Sequence, residues 1–232
     1  MSVVLFFLAA IAAIVVWWLA GQRLTSRPWL EIGHLHDRRG PARIPPAKIG
    51  LGVFLAVVGA LFSLSVSAYF MRMASSDWGA LPPPGLLWFN TGILAAGSIT
   101  LQWARAEAGR QHDEAARTGL LAALASGLAF LVGQLFAWRA LSGAGYFLAE
   151  NPANSFFYLL TGMHGLHILG GLIVLGRVTA HAAQAPIDSR TRLSIELCAI
   201  YWHFMLIVWV VLFALFAGWA SGVIDFCRQL LT

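Results

Sequence analysis

The sequence predicts an all-α polytopic membrane protein, a bundle of about six transmembrane helices without a soluble domain. Of its 232 residues, 59% are hydrophobic and only 11% are charged, whereas an average soluble domain carries about 25% charged residues. One soluble core cannot hide so much apolar surface, but a bilayer accepts it on every helix face. The second observation is that six apolar runs have the length that a membrane-spanning helix requires, about 20 residues.

The six runs are separated by segments that contain charged residues or prolines, and most of them have a tryptophan near an end, as an interfacial aromatic belt requires. They cover Ser2 to Ala20, Ile49 to Phe70, Gly85 to Trp103, Gly119 to Trp138, Ala153 to Leu175 and Leu193 to Trp219.

The first run predicts a retained helix rather than a cleaved signal peptide, because no basic residue precedes its apolar stretch. The segment that follows is rich in arginine and proline, which indicates an irregular cytoplasmic connection. We therefore divide the chain into residues 1–47, the first helix with this loop, and residues 48–232, a bundle of five helices.

The later runs have their own start and packing signals. Three consecutive prolines, residues 82–84, end the loop before the third run and suit the start of a helix. The fifth run contains four glycines, which permit neighbouring helices to approach closely, so this helix is expected to be buried among the others. They are Gly162, Gly165, Gly170 and Gly171.

The basic residues predict the orientation of the bundle. Segments 21–48, 104–117 and 177–192 hold 12 of the 15 Lys and Arg residues, and loops rich in these residues stay on the cytoplasmic side. Both termini are therefore predicted to lie outside. Because the net charge of +5 reflects these loops, and no aromatic residues are interleaved with them, we expect no nucleic-acid partner.

Four ionisable residues fall inside the predicted helices, where such groups are costly and functional roles are expected. His164 and His167 lie in the fifth run, and Glu196 and His203 lie in the sixth. At a rise of about 1.5 Å per residue, His164 and His203 both lie near the midplane, so the four groups could form one polar cluster. Such a cluster suits helix packing or lipid headgroup binding, a proton relay, or a metal or axial haem site.

Two separated motifs in these helices resemble a known family. The stretch Ser155 to His167, which contains Thr161-Gly162 and His164-Gly165, resembles the penultimate helix of cytochrome oxidase subunit III. Glu196, Tyr201-Trp202-His203-Phe204 and Val208-Trp209 are similar to the family's final helix. Weaker agreement at Ala68-Tyr69-Phe70 and Leu87 to Thr91 extends the resemblance over residues 50 to 220.

The resemblance implies a non-catalytic core subunit of a bacterial haem-copper terminal oxidase, in the inner membrane, whose complex reduces oxygen and translocates protons. It implies no catalytic centre, haem or metal in this chain; haem and copper are expected in subunit I, the main partner, with subunit II and small subunits alongside. A bound phospholipid is expected, and His164, His167, Glu196 and His203 take structural or lipid-associated roles. Enzyme activity would belong to the complex.

This sequence departs from the family at three places. Val58 occupies the position of a family acidic residue, and Leu206 replaces a family aspartate in the last helix. The third departure is a single helix before the five matched ones, where the long form of the family has two. These differences indicate a divergent member, whose lipid cleft is incomplete or completed by another subunit.

Two alternatives stay open at this point. The first is the related accessory subunit of nitric oxide reductase systems, which shares the fold and the histidine motifs. The second is a membrane electron carrier that holds haem b between His203 and either His164 or His167.

Overall fold

The described part of the chain is entirely helical between its turns. The computed structural model describes residues 45–73, 75–79 and 85–218. They form five α-helices: α1 (Pro46–Met73), α2 (Leu86–Gly109), α3 (Asp113–Gly143), α4 (Pro152–Gln184) and α5 (Ser189–Phe216). The predicted first helix, residues 2–20, lies outside the described residues.

The membrane class is confirmed by the length and composition of these helices. Four of the five, α1, α3, α4 and α5, are long and apolar enough to cross a membrane. The hydropathy of α2 is lower because Asn90, Thr91 and Gln102 interrupt its apolar residues. An all-α membrane helix bundle is therefore confirmed, and the predicted count of six helices is an approximate one.

The chain divides into two compact units between Val57 and Val58, inside α1. In the first unit, the described residues 45–57 form the opening turns of α1. The second unit contains the end of α1 and the four other helices. The functional division predicted between residues 47 and 48 stays a prediction.

Helices α2 to α5 form a closed four-helix arrangement. Each helix packs against the next one in sequence, and α5 returns to pack against α2. Aromatic side chains fill the centre, where Phe130, Phe157, Trp202 and Trp209 are almost completely buried. The core of the bundle therefore lies between α2, α3, α4 and α5.

A glycine of α3 allows one of these close approaches. A Cβ atom added at Gly127 of α3 would lie 2.8 Å from the Trp202 ring of α5 and 2.7 Å from Leu172 of α4. Only a residue without a side chain leaves room for the indole at this point. Gly127 therefore permits three helices to meet around Trp202.

Polar side chains form hydrogen bonds at both ends of α4. The Asn151 side chain caps α4 by accepting from the Ala153 N–H, and it also donates to the Gly79 carbonyl at 2.8 Å. At the opposite end of α4, Arg117 of α3 donates to the carbonyls of Ala182 and Ala185. These bonds satisfy carbonyls that the end of a helix leaves without partners.

The α2–α3 and α4–α5 turns lie at the same end of the bundle. The Ile187 N–H donates to the Asp113 carboxylate at 3.1 Å, which joins the two turns directly. Most of the basic residues of segments 104–117 and 177–192 belong to this end. The arrangement agrees with the prediction that these segments share one side of the membrane.

Candidate functional site

His164 lies in the centre of the bundle with no solvent exposure. Its Nε2 lies 3.1 Å from the main-chain carbonyl oxygen of Met205 on α5. Because a carbonyl can only accept, the imidazole carries its proton on Nε2 and donates it. His164 therefore links α4 to α5 through the backbone of the partner helix.

Aromatic rings surround the His164 imidazole on several sides. Its ring centroid lies 5.0 Å from Trp209, 5.6 Å from Phe130 and 6.3 Å from Phe62. The Nδ1 atom has no hydrogen-bond partner among the described residues. The imidazole is thus held by one hydrogen bond and by packing.

His167 follows one turn later on α4 and is half-buried. Its Nδ1–H donates to the Met163 carbonyl in its own helix at 2.8 Å, and its ring lies 5.4 Å from Phe62. The Tyr201 hydroxyl of α5 donates to the main-chain carbonyl of His167 at 2.7 Å. Hydrogen bonds at His164 and at His167 therefore both join α4 to α5.

Glu196 and His203 share a face of α5 but have different partners. Glu196 accepts from Arg105 of α2 at 2.7 Å, with 39% of the Arg105 side chain and 23% of the Glu196 side chain exposed. The Nδ1–H of His203 donates to the Ala199 carbonyl of its own helix. Glu196 thus connects α5 to α2, while His203 lies two turns away.

The geometry brings together only part of the predicted cluster. His164 and His167 contact the same ring, Phe62. Tyr201 faces α4, and successive residues of a helix turn by about 100°, so His203 projects from the far side of α5. None of the hydrogen bonds described above joins two of the four predicted residues.

Sequence reasoning missed the backbone partner Met205 and the ion-pair partner Arg105. It also missed the hydrogen bond from the Trp209 indole of α5 to the Thr91 hydroxyl of α2, 2.9 Å long. Arg105 had a usable signal, because it is a basic residue only two positions beyond the third apolar run. A backbone carbonyl gives no signal in a sequence.

Two further polar side chains are buried beside this region. Asn90 of α2 and Gln134 of α3 are almost completely enclosed, and their side-chain atoms have no hydrogen-bond partner within residues 45–73, 75–79 and 85–218. The Asn90 side chain rests against Gly133 of α3, where a Cβ atom would collide with it. Neither side chain therefore forms an interhelical hydrogen bond within the described part of the chain.

In the described ranges 45–73, 75–79 and 85–218, no three His, Cys, Asp or Glu side chains converge as the ligands of a metal ion. The polar groups described above contact main-chain carbonyls, aromatic rings and one arginine. Two of these contacts, from His164 to Met205 and from Arg105 to Glu196, join different helices.

The family model and the known proteins that are similar to this chain carry the same description. A family model described as cytochrome c oxidase subunit III matches residues 49–221. A cytochrome c oxidase subunit 3 from Synechocystis is 34% identical over 195 residues, 79% of each chain. The protein of the same name from Thermostichus vulcanus is 29% identical over 80% of this chain and 91% of its own.

A third relative is longer than the matched region. The cytochrome c oxidase subunit 3 from Pylaiella littoralis is 30% identical over 173 residues, 73% of this chain, and the match spans only 62% of its own length. The family model's match, residues 49–221, includes nearly all of the five described helices and both histidine-bearing segments.

Proposed function

The chain belongs to the cytochrome c oxidase subunit III family, and from this premise we propose that it is the non-catalytic core subunit III of a bacterial haem-copper terminal oxidase. Its complex would reduce oxygen to water and translocate protons in the bacterial inner membrane. Subunit I is the proposed main partner, with subunit II and small subunits beside it. Haem and copper would belong to subunit I.

The observation that carries this role is the bond between His164 and Met205. A fully buried imidazole donates across a helix interface to a backbone carbonyl and is enclosed by aromatic rings. This is the contact of a packing residue. We assign His164, His167, Glu196 and His203 to holding α2, α4 and α5 in the geometry that subunit I recognises.

The geometry gives less support to a haem b carrier. An axial ligand needs a free ring nitrogen that faces the iron. The Nε2 of His164 donates to Met205, and its Nδ1 lies in a fully buried ring packed against Phe130 and Trp209, where a haem has no room. His203 projects from the side of α5 away from His167. A haem held between His203 and a histidine of α4 therefore lacks a suitable pair of facing ligands.

The valine at position 58 favours a stabilising role for this chain over a role in proton conduction. It occupies the position where the family resemblance implies an acidic residue, and it is almost fully buried in α1. Leu206 likewise supplies no carboxylate in α5. We propose that this member stabilises subunit I and binds phospholipid without contributing these two carboxylates to proton uptake.

Purification of the tagged chain from native membranes in mild detergent tests the proposal. We expect a large histidine-rich subunit I and a subunit II in stoichiometric amounts. A nitric oxide reductase catalytic chain in their place would assign the protein to that system, and the absence of any large partner would contradict both assignments.

The haem spectrum provides a second readout. We expect the chain separated from its partners to lack a haem absorption band, and a stoichiometric band would favour the electron carrier. Replacing His203 by Ala should lower the yield of the complex and leave its haem spectrum unchanged. Normal yield with lost haem would contradict the assignment.

A further inference from the structure

A groove lies on the bundle surface where α3 ends and α4 begins. Its volume is about 440 Å³, within the range of ligand-binding clefts. One side is formed by Val132, Leu135 and Phe136 of α3, each more than half exposed. The groove therefore has an apolar wall that faces the lipid region of this membrane protein.

The same face of α3 becomes polar towards its end. Arg139 follows Val132 by seven residues and Leu135 by four, so the three side chains lie along one stripe of the helix. The stripe spans about 10 Å at the helical rise. The Arg139 guanidinium thus lies at the end of this apolar stripe, near the predicted outer surface of the membrane.

Two aromatic side chains that line the groove, Trp138 and Tyr158, are held in position by hydrogen bonds. The Tyr158 hydroxyl donates to the Tyr146 carbonyl at 3.0 Å and lies 3.2 Å from the Ser142 hydroxyl. The Trp138 indole donates to Thr161 at 3.0 Å and meets the Tyr158 ring edge-on, with centroids 5.9 Å apart. Tyr and Trp of this kind are enriched at the membrane interface.

Arg139 is the charged residue that lines this groove. Its guanidinium makes no hydrogen bond or salt bridge with any residue that the structure describes, and it is exposed. By contrast, Arg72, Arg105, Arg110 and Arg117 each pair with a carboxylate. Arg139 is therefore a positive charge available to an anion from the membrane.

We infer that this groove binds one phospholipid molecule, with the phosphate on Arg139 and an acyl chain along Val132, Leu135 and Phe136. The planar guanidinium presents several donors to phosphate oxygens, and the Ser142 and Tyr158 hydroxyls lie beside it. The apolar stripe covers the first carbons of the chain. The inference names a site for the lipid binding in the proposed function, and it rests on that function.

Native mass spectrometry of the purified complex tests the inference. We expect Arg139→Gln to retain one phospholipid fewer than the wild type, with the same protein subunits present. Arg139→Lys, which keeps the charge, should retain the lipid. Arg190→Gln is the matched control, because Arg190 is also exposed but lies at the start of α5, away from the groove.

Three results would overturn the inference. The first is an unchanged phospholipid count in Arg139→Gln, and the second is loss of a protein subunit with the lipids retained, which would make the groove a protein interface. The third is a wild-type adduct with the mass of inorganic phosphate alone. Failure of the proposed function is recognised separately, since the oxidase subunits would then be missing from the wild-type preparation.

Discussion

The Nε2–H of His164 donates to the main-chain carbonyl of Met205 across 3.1 Å, and this bond joins the two helices that carry the family motifs. The acceptor oxygen belongs to a helix backbone, so it stays in place whatever side chain occupies position 205. The strength of the contact therefore depends on the histidine and on the aromatic rings that enclose it.

Replacing His164 by Ala should destabilise the protein. The change removes one interhelical hydrogen bond, about 0.6 kcal/mol in membrane proteins, and leaves a cavity between Phe62, Phe130 and Trp209. We expect a total loss of about 2 kcal/mol or more in the free energy of unfolding. Thermal unfolding in detergent measures it, with His181→Ala at an exposed position as the control. Equal melting temperatures for the two variants would contradict the packing role.

The pair formed by Arg105 and Glu196 should show coupling in a double-mutant cycle. Both side chains are partly exposed, so solvent screens the pair and we expect a coupling free energy of about 0.5–1 kcal/mol. Arg105→Gln, Glu196→Gln and the double variant supply the measurements from chemical or thermal unfolding. Strictly additive effects would show that the pair contributes nothing beyond its separate members.

Replacing Gly127 by Val should crowd the bundle centre. The new side chain would overlap the Trp202 ring and Leu172, and overpacking of this kind typically lowers the free energy of unfolding by about 1–3 kcal/mol. Gly92→Ala is the control, because a Cβ atom there meets nothing within 4 Å. That change should be neutral or slightly stabilising. A Gly127→Val variant as stable as Gly92→Ala would refute the close approach.

The turn between α2 and α3 should give a pH-dependent contribution to stability. The His112 imidazole donates to the Glu107 carboxylate at 2.7 Å and Arg110 donates at 2.8 Å. These bonds hold the pKa of the Glu107 carboxyl below its ordinary value of 4.5, and the bond from His112 has the largest effect. Because the folded pKa is the lower one, the contribution is present above pH 4.5 and is lost as the pH falls through the folded pKa.

Melting temperatures of the wild type and Glu107→Gln across the acidic range check this expectation. The wild type should be the more stable protein near neutral pH, and the difference should shrink below pH 4.5. Glu150→Gln, on an exposed carboxylate that accepts from the Phe147 N–H, is the control. A difference that grew towards acid pH would contradict the sign of the shift.

Hydropathy predicted the described helices well but placed the ends of α1, α2, α3 and α4 too early. The fifth apolar run was ended at Leu175, whereas α4 continues to Gln184, because a charged residue such as Arg177 ends a hydrocarbon span without ending a helix. The third run was ended at Trp103 for the same reason, although α2 extends to Gly109. The hydropathy pattern indicates which residues lie within the bilayer, but it does not indicate where the helix itself ends.

The candidate site was predicted less completely than the fold. The sequence indicated only the depth of His164 along its helix, and depth alone cannot give the rotation of a helix about its axis, which is what buries His164 in the bundle. Because Trp202 packs between neighbouring helices, Tyr201 faces α4 and His203 faces away from it. Arg105 was counted as a loop residue, so its pairing with Glu196 could not be anticipated.

The polar character of α2 has a consequence for how the protein is made. Asn90 and Ser98 are buried in the finished bundle, yet α2 leaves the ribosome before α3 and α5, the two helices that pack against it. Low hydropathy weakens insertion of a single helix, so we expect α2 to integrate stably only as a hairpin with α3. A glycosylation-site reporter placed after α2 should show incomplete integration when α3 is deleted, and full integration from the truncated chain would rule this out.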